Sequence, residues 1–115
     1  ISNAIQALTE SNTERPLIKI QTRAVNGMVI NGFKYPTSIC VSITDNGPGI
    51  PESIMPKIFY PMVTSRSKGN GLGLSIAQSI VERHNGTIEC ESHKGKTTFS
   101  VILPIKKDVF KSEEI

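Results

Sequence analysis

The stretch that decides the fold reads Asp45-Asn46-Gly47-Pro48-Gly49, then Phe59-Tyr60-Pro61-Met62, then Gly69-Asn70-Gly71-Leu72-Gly73-Leu74-Ser75. Two glycine-rich turns bracket a polar, basic segment. Glycine serves where the backbone must take a positive φ or come close to a ligand. Two such clusters, about a helix-length apart, point to a nucleotide cradle.

Upstream of the first cluster, Ile39, Val41 and Ile43 alternate with Cys40, Ser42 and Thr44. This period of two predicts a strand, beginning after Pro36 and ending at Asp45, so the cluster sits at a strand's C-terminal end. Further back, Ile18, Ile20, Thr22 and Ala24 alternate with Lys19, Gln21 and Arg23, which predicts a second strand from Leu17 to Val25. Asn26-Gly27 and Asn31-Gly32 are both hairpin-turn dipeptides. With Met28-Val29-Ile30 between them, the region reads as a small β excursion or an irregular loop. Ile1, Ala4, Ile5 and Leu8 have helical spacing up to Glu10, and no capping residue precedes them. The chain is therefore expected to begin inside a helix, as a fragment of a longer protein, with a polar loop from Ser11 to Pro16 following it.

Downstream, Pro51-Glu52-Ser53-Ile54 opens a short helix with Ile54, Ile58 and Phe59 on its apolar side, ending near Tyr60-Pro61. Thr64 to Asn70 has no apolar anchor and is expected to be a mobile loop. From Gly71, a helical stripe of Ile76, Ala77, Ile80, Val81 and His84 runs to Asn85-Gly86, an αL stop signal. Two strands follow, Thr87 to Glu91 and Thr97 to Leu103, turning at His93-Lys94-Gly95-Lys96 as an antiparallel hairpin. The charge-rich residues 106–115 are expected to form a peripheral tail after a domain spanning 1–105. This element order predicts an α+β two-layer sandwich: one mixed, mostly antiparallel sheet with helices on one face.

At 115 residues, the chain has the length of a single domain. Hydrophobic residues make up 37% and charged residues 20%, values ordinary for a globular domain. No apolar run approaches the ~20 residues of a membrane span, and no signal peptide is visible. The net charge of +3 is spread along the chain, which argues against nucleic acid and favours a small anionic ligand. Cys40 and Cys90 lack metal-site spacing and are read as buried thiols in a reducing compartment. Asn85-Gly86-Thr87 formally matches a glycosylation acceptor and is better read as the helix stop.

Two phosphate motifs are excluded. Gly95-Lys96-Thr97 has Cys90 where a Walker A glycine belongs, and it lies in a hairpin. Gly69, Gly71 and Gly73 alternate after a polar loop, unlike a dinucleotide fingerprint, which follows a strand directly. The residues do offer a helix start at Gly71-Leu72-Gly73-Leu74-Ser75, whose free N–H groups and dipole suit a phosphate chain. Asp45, at a strand end beside Gly47 and Gly49, is an acceptor suited to an exocyclic amine. Asn3, polar on an apolar helix segment, could turn its amide oxygen toward a hydrated Mg²⁺.

Together these segments resemble the sensor histidine kinases. Asn3-Ala4 with Ala7 is similar to the second half of the N-box, Asp45-x-Gly47-x-Gly49 to the G1 box, Phe59 to the F-box, and Gly69-x-Gly71-Leu72-Gly73-Leu74 to the G2 box. The match runs in order across nearly the whole chain. Phe59-Tyr60-Pro61-Met62-Val63, a short lid and the loop containing Asn31-Gly32 further resemble the nitrogen-regulation subgroup.

The resemblance implies a Bergerat-type ATP-binding fold, with ATP and Mg²⁺ as cofactors. Asp45 would hold the adenine amine beside Gly47 and Gly49, with Thr97 in the same nucleotide-contacting set, and Asn3 would face Mg²⁺. The lid and helix start, with Arg66, Lys68, Gly69, Gly71, Leu72, Gly73 and Leu74, would close over the phosphates. The γ-phosphoryl group would pass to a histidine in a separate upstream dimerisation and phosphotransfer domain, and then to a response regulator, in the cytoplasm. Neither nucleic acid nor membrane is an expected partner of this domain. His84 and His93 are not in a phospho-acceptor context.

The chain also departs from the family pattern. The polar residue four positions before Asn3, often proposed to assist catalysis, is expected upstream of Ile1. Met62 replaces the second F-box aromatic, and Gln6 stands where many members carry a phosphate-contacting lysine; Arg66 or Lys68 is the expected substitute, beside the reading of both as solvated loop charges. Three alternatives stay open: an ATPase of the gyrase and heat-shock-chaperone type, a serine kinase of the anti-sigma class, or an inactive nucleotide-binding docking module.

Overall fold

The computed structural model describes residues 1–30, 32–61 and 73–106. The elements run α1 (Ser2–Glu10), β1 (Ile18–Ile30), β2 (Phe33–Asp45), a 3₁₀ turn (Met55–Lys57), α2 (Gly73–Arg83), β3 (Thr87–His93) and β4 (Lys96–Lys106). The four strands form one sheet in the order β1-β2-β4-β3, and every pairing among the described residues is antiparallel. Helix α1 packs on β2 and α2 on β3. The α+β layering expected from the element order is borne out.

The first hairpin is longer than the alternation alone indicated. β1 does not stop at Val25 but passes through Asn26-Gly27 to Ile30, and β2 begins at Phe33, ahead of Pro36. The ladder pairs Asn26 with Thr37 and Met28 with Tyr35, setting Gly27 opposite Pro36. Proline has no N–H to give, and glycine at φ 69° tolerates the interrupted ladder, so the strands continue across both residues. The hairpin closes with Ile30 paired to Phe33, and Gly32 has φ 83°.

The segment after Pro51 is also shorter than the helix expected there. Pro51 carbonyl accepts from the N–H groups of Ile54 and Met55, and only Met55–Lys57 is a 3₁₀ turn. Pro56, inside that turn, has no N–H to donate to a preceding carbonyl.

Helix α2 ends as the sequence indicated. Asn85 adopts φ 62°, and the Gly86 N–H bonds back to the Val81 carbonyl. His84 Nδ1 lies 2.8 Å from the Ile80 carbonyl. A Cβ on Gly86 would stand 2.5 Å from the Ile102 carbonyl oxygen, so only glycine lets α2 return this close to β4. The stripe itself is divided. Val81 is buried and Ala77 half-buried, whereas Ile76 and Ile80 are 54% and 50% exposed. Likewise in α1, Ala4 and Leu8 are buried while Ile1 and Ile5 stand exposed.

The helix-facing side of the sheet carries Ile43, Phe99 and Cys90 as cross-strand neighbours. The opposite side carries hydroxyl pairs: Ser42 with Ser100 at 3.2 Å and Thr44 with Thr98 at 2.9 Å. Toward the long hairpin, Cys40 and Ile102 join Ile30 and Tyr35 in a buried cluster, with Val25 and Met28 against it. Ser38, fully buried, has a hydroxyl without a hydrogen-bond partner among the described residues.

Candidate functional site

A row of polar side chains crosses three strands at one end of the sheet. Asp45 on β2 pairs with Thr97 on β4, and Thr97 with Ser92 on β3, so all three project toward the helices. Asp45 is 5% exposed and Thr97 4%. Ser92 Oγ lies 2.8 Å from Thr97 Oγ1 and accepts the Ile50 N–H at 2.8 Å.

The glycine cluster after Asp45 folds over this row. Asp45 Oδ1 accepts the Gly47 N–H at 2.9 Å, an Asx turn that carries the chain back across the strand end. A Cβ on Gly47 would stand 2.9 Å from that same oxygen. Gly49 has φ 91°, and a Cβ there would meet the His93 carbonyl oxygen at 2.6 Å. Gly49 is therefore required by close backbone approach, and a Cβ on Gly47 would displace the Asp45 carboxylate. Asn46 does not turn toward the cleft: its Oδ1 accepts the Leu17 N–H at 2.7 Å and its Nδ2 donates to the Arg15 carbonyl at 3.0 Å. It fastens the start of β1 to the end of β2.

Asp45, Thr97, Gly49 and Asn3 line a cleft of about 770 Å³ between α1, the glycine turn and the β3–β4 turn. That is within the range of small-molecule and cofactor sites. A second cavity of about 190 Å³ adjoins it, sharing Asn3, Asp45 and Phe99 and reaching Gly73 and Leu74 at the start of α2. Thus Asn3, Asp45, Gly49, Gly73, Leu74 and Thr97 are brought around connected space, with Gly47 holding the Asp45 turn. Arg66, Lys68, Gly69, Gly71, Leu72 and the lid expectation for Thr64 to Asn70 lie outside the described residues, as does the tail from residue 107.

Helical spacing puts Asn3 and Ala7 on the cleft side of α1, where both line it. Among the described residues, no group of three or more His, Cys, Asp or Glu side chains could hold a metal ion. One neutral amide suits an ion carried in by a ligand's phosphates better than one held by protein alone. The sequence reading missed Ser92, because a serine in a strand carries no motif; only the cross-strand register puts it beside Thr97. Phe99, within the strand predicted from Thr97 to Leu103, also lines both cavities.

Cys90 sits half-buried, one register step from this row. Burial first, then the charges of Asp45 and Glu91, push its thiol up to about 11. Among the described residues, no helix is long and apolar enough to cross a membrane.

The antiparallel sheet, the helices on one face and the acid-glycine turn over the cleft define a nucleotide-binding α+β domain. Residues 1–107 match the family of histidine kinase-, DNA gyrase B-, and HSP90-like ATPases, and the chain belongs to that family. It is 49% identical over 105 residues to the sensory histidine kinase/phosphatase NtrB of Vibrio alginolyticus, covering 91% of this chain and 29% of that protein. To NtrB of Klebsiella oxytoca it is 44% identical over 93% of this chain and 30% of the relative. The chain thus spans less than a third of the length of these relatives. Among solved structures, it resembles a nucleotide-free catalytic domain of histidine kinase ThkA, with TM-score 0.65 and 33% identity, over 89% of this chain and 61% of that one. The mycobacterial sensor histidine kinase MprB is similar with TM-score 0.56 and 26% identity, over 76% and 59%.

Proposed function

We propose that this chain is the ATP-binding catalytic domain of a two-component sensor histidine kinase of the nitrogen-regulation type, acting in the cytoplasm. The observation that carries the reading is the buried Asp45–Thr97 pair lining a cleft of about 770 Å³ beneath a glycine turn. A buried carboxylate suits an amine donor on a flat base, which the Gly47-Pro48-Gly49 backbone allows to approach.

In this reading, Asp45 and Thr97 take the adenine edge and Gly73-Leu74 at the start of α2 lies toward the phosphates. Gly69, Gly71 and Leu72 with Arg66 and Lys68 form the closing lid. Asn3 would hold the Mg²⁺ through its amide oxygen. The ion supplies charge neutralisation for a phosphoryl transfer that depends mostly on positioning. The acceptor histidine and the polar residue preceding the N-box belong to the rest of the protein, and the phosphoryl group passes on to a response regulator. The relatives' shared name favours this over the gyrase, chaperone or serine-kinase alternatives.

Calorimetric titration of the full-length protein with ADP or a non-hydrolysable ATP analogue plus Mg²⁺ tests the reading. Binding should weaken by about 10- to 100-fold in Asp45→Asn. Absence of binding at millimolar nucleotide, or binding indifferent to that substitution, would remove it. Label from γ-labelled ATP should appear on histidine; nucleotide binding without label transfer would favour the docking-module alternative.

A further inference from the structure

We infer that Ser92 is a positioning residue that sets base selectivity by orienting the Thr97 hydroxyl. The inference rests on the ATP reading above and concerns a residue outside the nucleotide motifs.

Ser92 Oγ already accepts the Ile50 N–H at 2.8 Å. A hydroxyl has one proton to give, and the described partner within reach of it is Thr97 Oγ1, also at 2.8 Å. When Ser92 donates, a Thr97 lone pair is taken, and Thr97 is left with its own proton to offer into the cleft. Thr97 is buried and cannot trade this arrangement freely with water. With Ser92 as the donor, the row Ser92–Thr97–Asp45 presents one pattern to a base: a hydroxyl donor from Thr97 beside a carboxylate acceptor from Asp45. Adenine complements it with a ring-nitrogen acceptor beside an amine donor. Guanine reverses both groups, offering a ring N–H beside a carbonyl oxygen.

The same Ser92 oxygen also fastens the glycine turn. Its bond to Ile50 N–H lies one residue after Gly49, whose α-carbon packs so closely on the His93 carbonyl that no Cβ fits. Ser92 thus couples the wall over the base to the hydroxyl beside it, without itself being required to touch the ligand.

The experiment measures ADP and GDP affinity, each with Mg²⁺, on the full-length protein and on Ser92→Ala, Thr97→Val and the double variant. Ser92→Ala is expected to lower the ADP-over-GDP preference by about tenfold. In the Thr97→Val background, the same substitution should leave the preference unchanged, since the group it acts through is gone. Ser92→Thr, which keeps the hydroxyl, should restore the preference. An unchanged preference in Ser92→Ala overturns the inference. So does an equal loss for both nucleotides, which would leave Ser92 only a fastener of the turn. Should Ser92→Ala fail to fold, Ser92→Cys keeps the volume with a much weaker donor, and the same ratio decides. A wild-type protein that binds neither nucleotide overturns the ATP reading and this inference with it; one that binds ADP with the Ser92→Ala preference intact overturns the inference alone.

Discussion

Asp45 has two tasks at the residue scale, and they use different atoms. One oxygen closes the Asx turn onto Gly47, and the carboxylate as a whole stands at the wall of the cleft. Asp45→Asn keeps the size and removes the charge, so it should weaken ADP binding by about 10- to 100-fold, the range of one charge-assisted hydrogen bond. Calorimetry reads this directly. Cys90 supplies a second prediction. Burial and the nearby carboxylates push its thiol up to about 11 in the folded state, from an ordinary 9.0. The raised value means the folded protein keeps a proton that the unfolded chain releases. This contribution is fully present below pH 9 and is lost as pH rises through 11. The difference in urea midpoint between the native protein and Cys90→Ala should therefore change across that interval and be flat from pH 7 to 8.5. Adding Asp45→Asn removes the second cause of the shift and should narrow the interval.

Individual elements show where pattern and packing part. The α2 stripe contains Ile76, Ala77, Ile80 and Val81, all apolar and all at helical spacing. Only three-dimensional placement separates buried Val81 from exposed Ile80. Val81→Ala should cost about 1–3 kcal/mol in urea unfolding, whereas Ile80→Ala should stay within about 0.5 kcal/mol. Equal costs would contradict the orientation of α2. Gly86→Ala belongs at the same scale: its new Cβ would press on the Ile102 carbonyl, costing about 1–3 kcal/mol as overpacking. The first hairpin follows the same logic. Gly27 and Pro36 each read as a strand breaker alone, but they are tolerable as opposite partners.

For the whole molecule, the cleft is bounded by α1, the turn after β2 and the β3–β4 turn, segments far apart in the chain. A ligand in contact with all of them stabilises the folded state as a unit. At a concentration 100 times its Kd, ADP with Mg²⁺ should add about 2.7 kcal/mol and raise Tm in the full-length protein. At the same ADP concentration the gain should shrink to about 0.4–1.4 kcal/mol in Asp45→Asn, as differential scanning calorimetry would show. A rise undiminished by the substitution would place the ligand elsewhere.

The sequence by itself determined the α+β class, the strand leading to Asp45, the stop at Asn85-Gly86 and the family resemblance. Each depends on local signals: alternation, a left-handed cap, glycines at fixed offsets. It also carried Asp45, Thr97 and Asn3 as candidates, all of which line the cleft. What only the tertiary structure decided were relations between distant residues. Among them are the Ser92–Thr97–Asp45 row, the passage of the first hairpin through Gly27 and Pro36, the outward turn of Ile76 and Ile80, and Asn46 as a fastener. Register across strands and the azimuth of a helix depend on what packs opposite, and no window along a single chain contains that partner. The Asp45 turn shows the division: its glycines announce close approach, and only the folded sheet shows that they approach Asp45 itself and the His93 carbonyl.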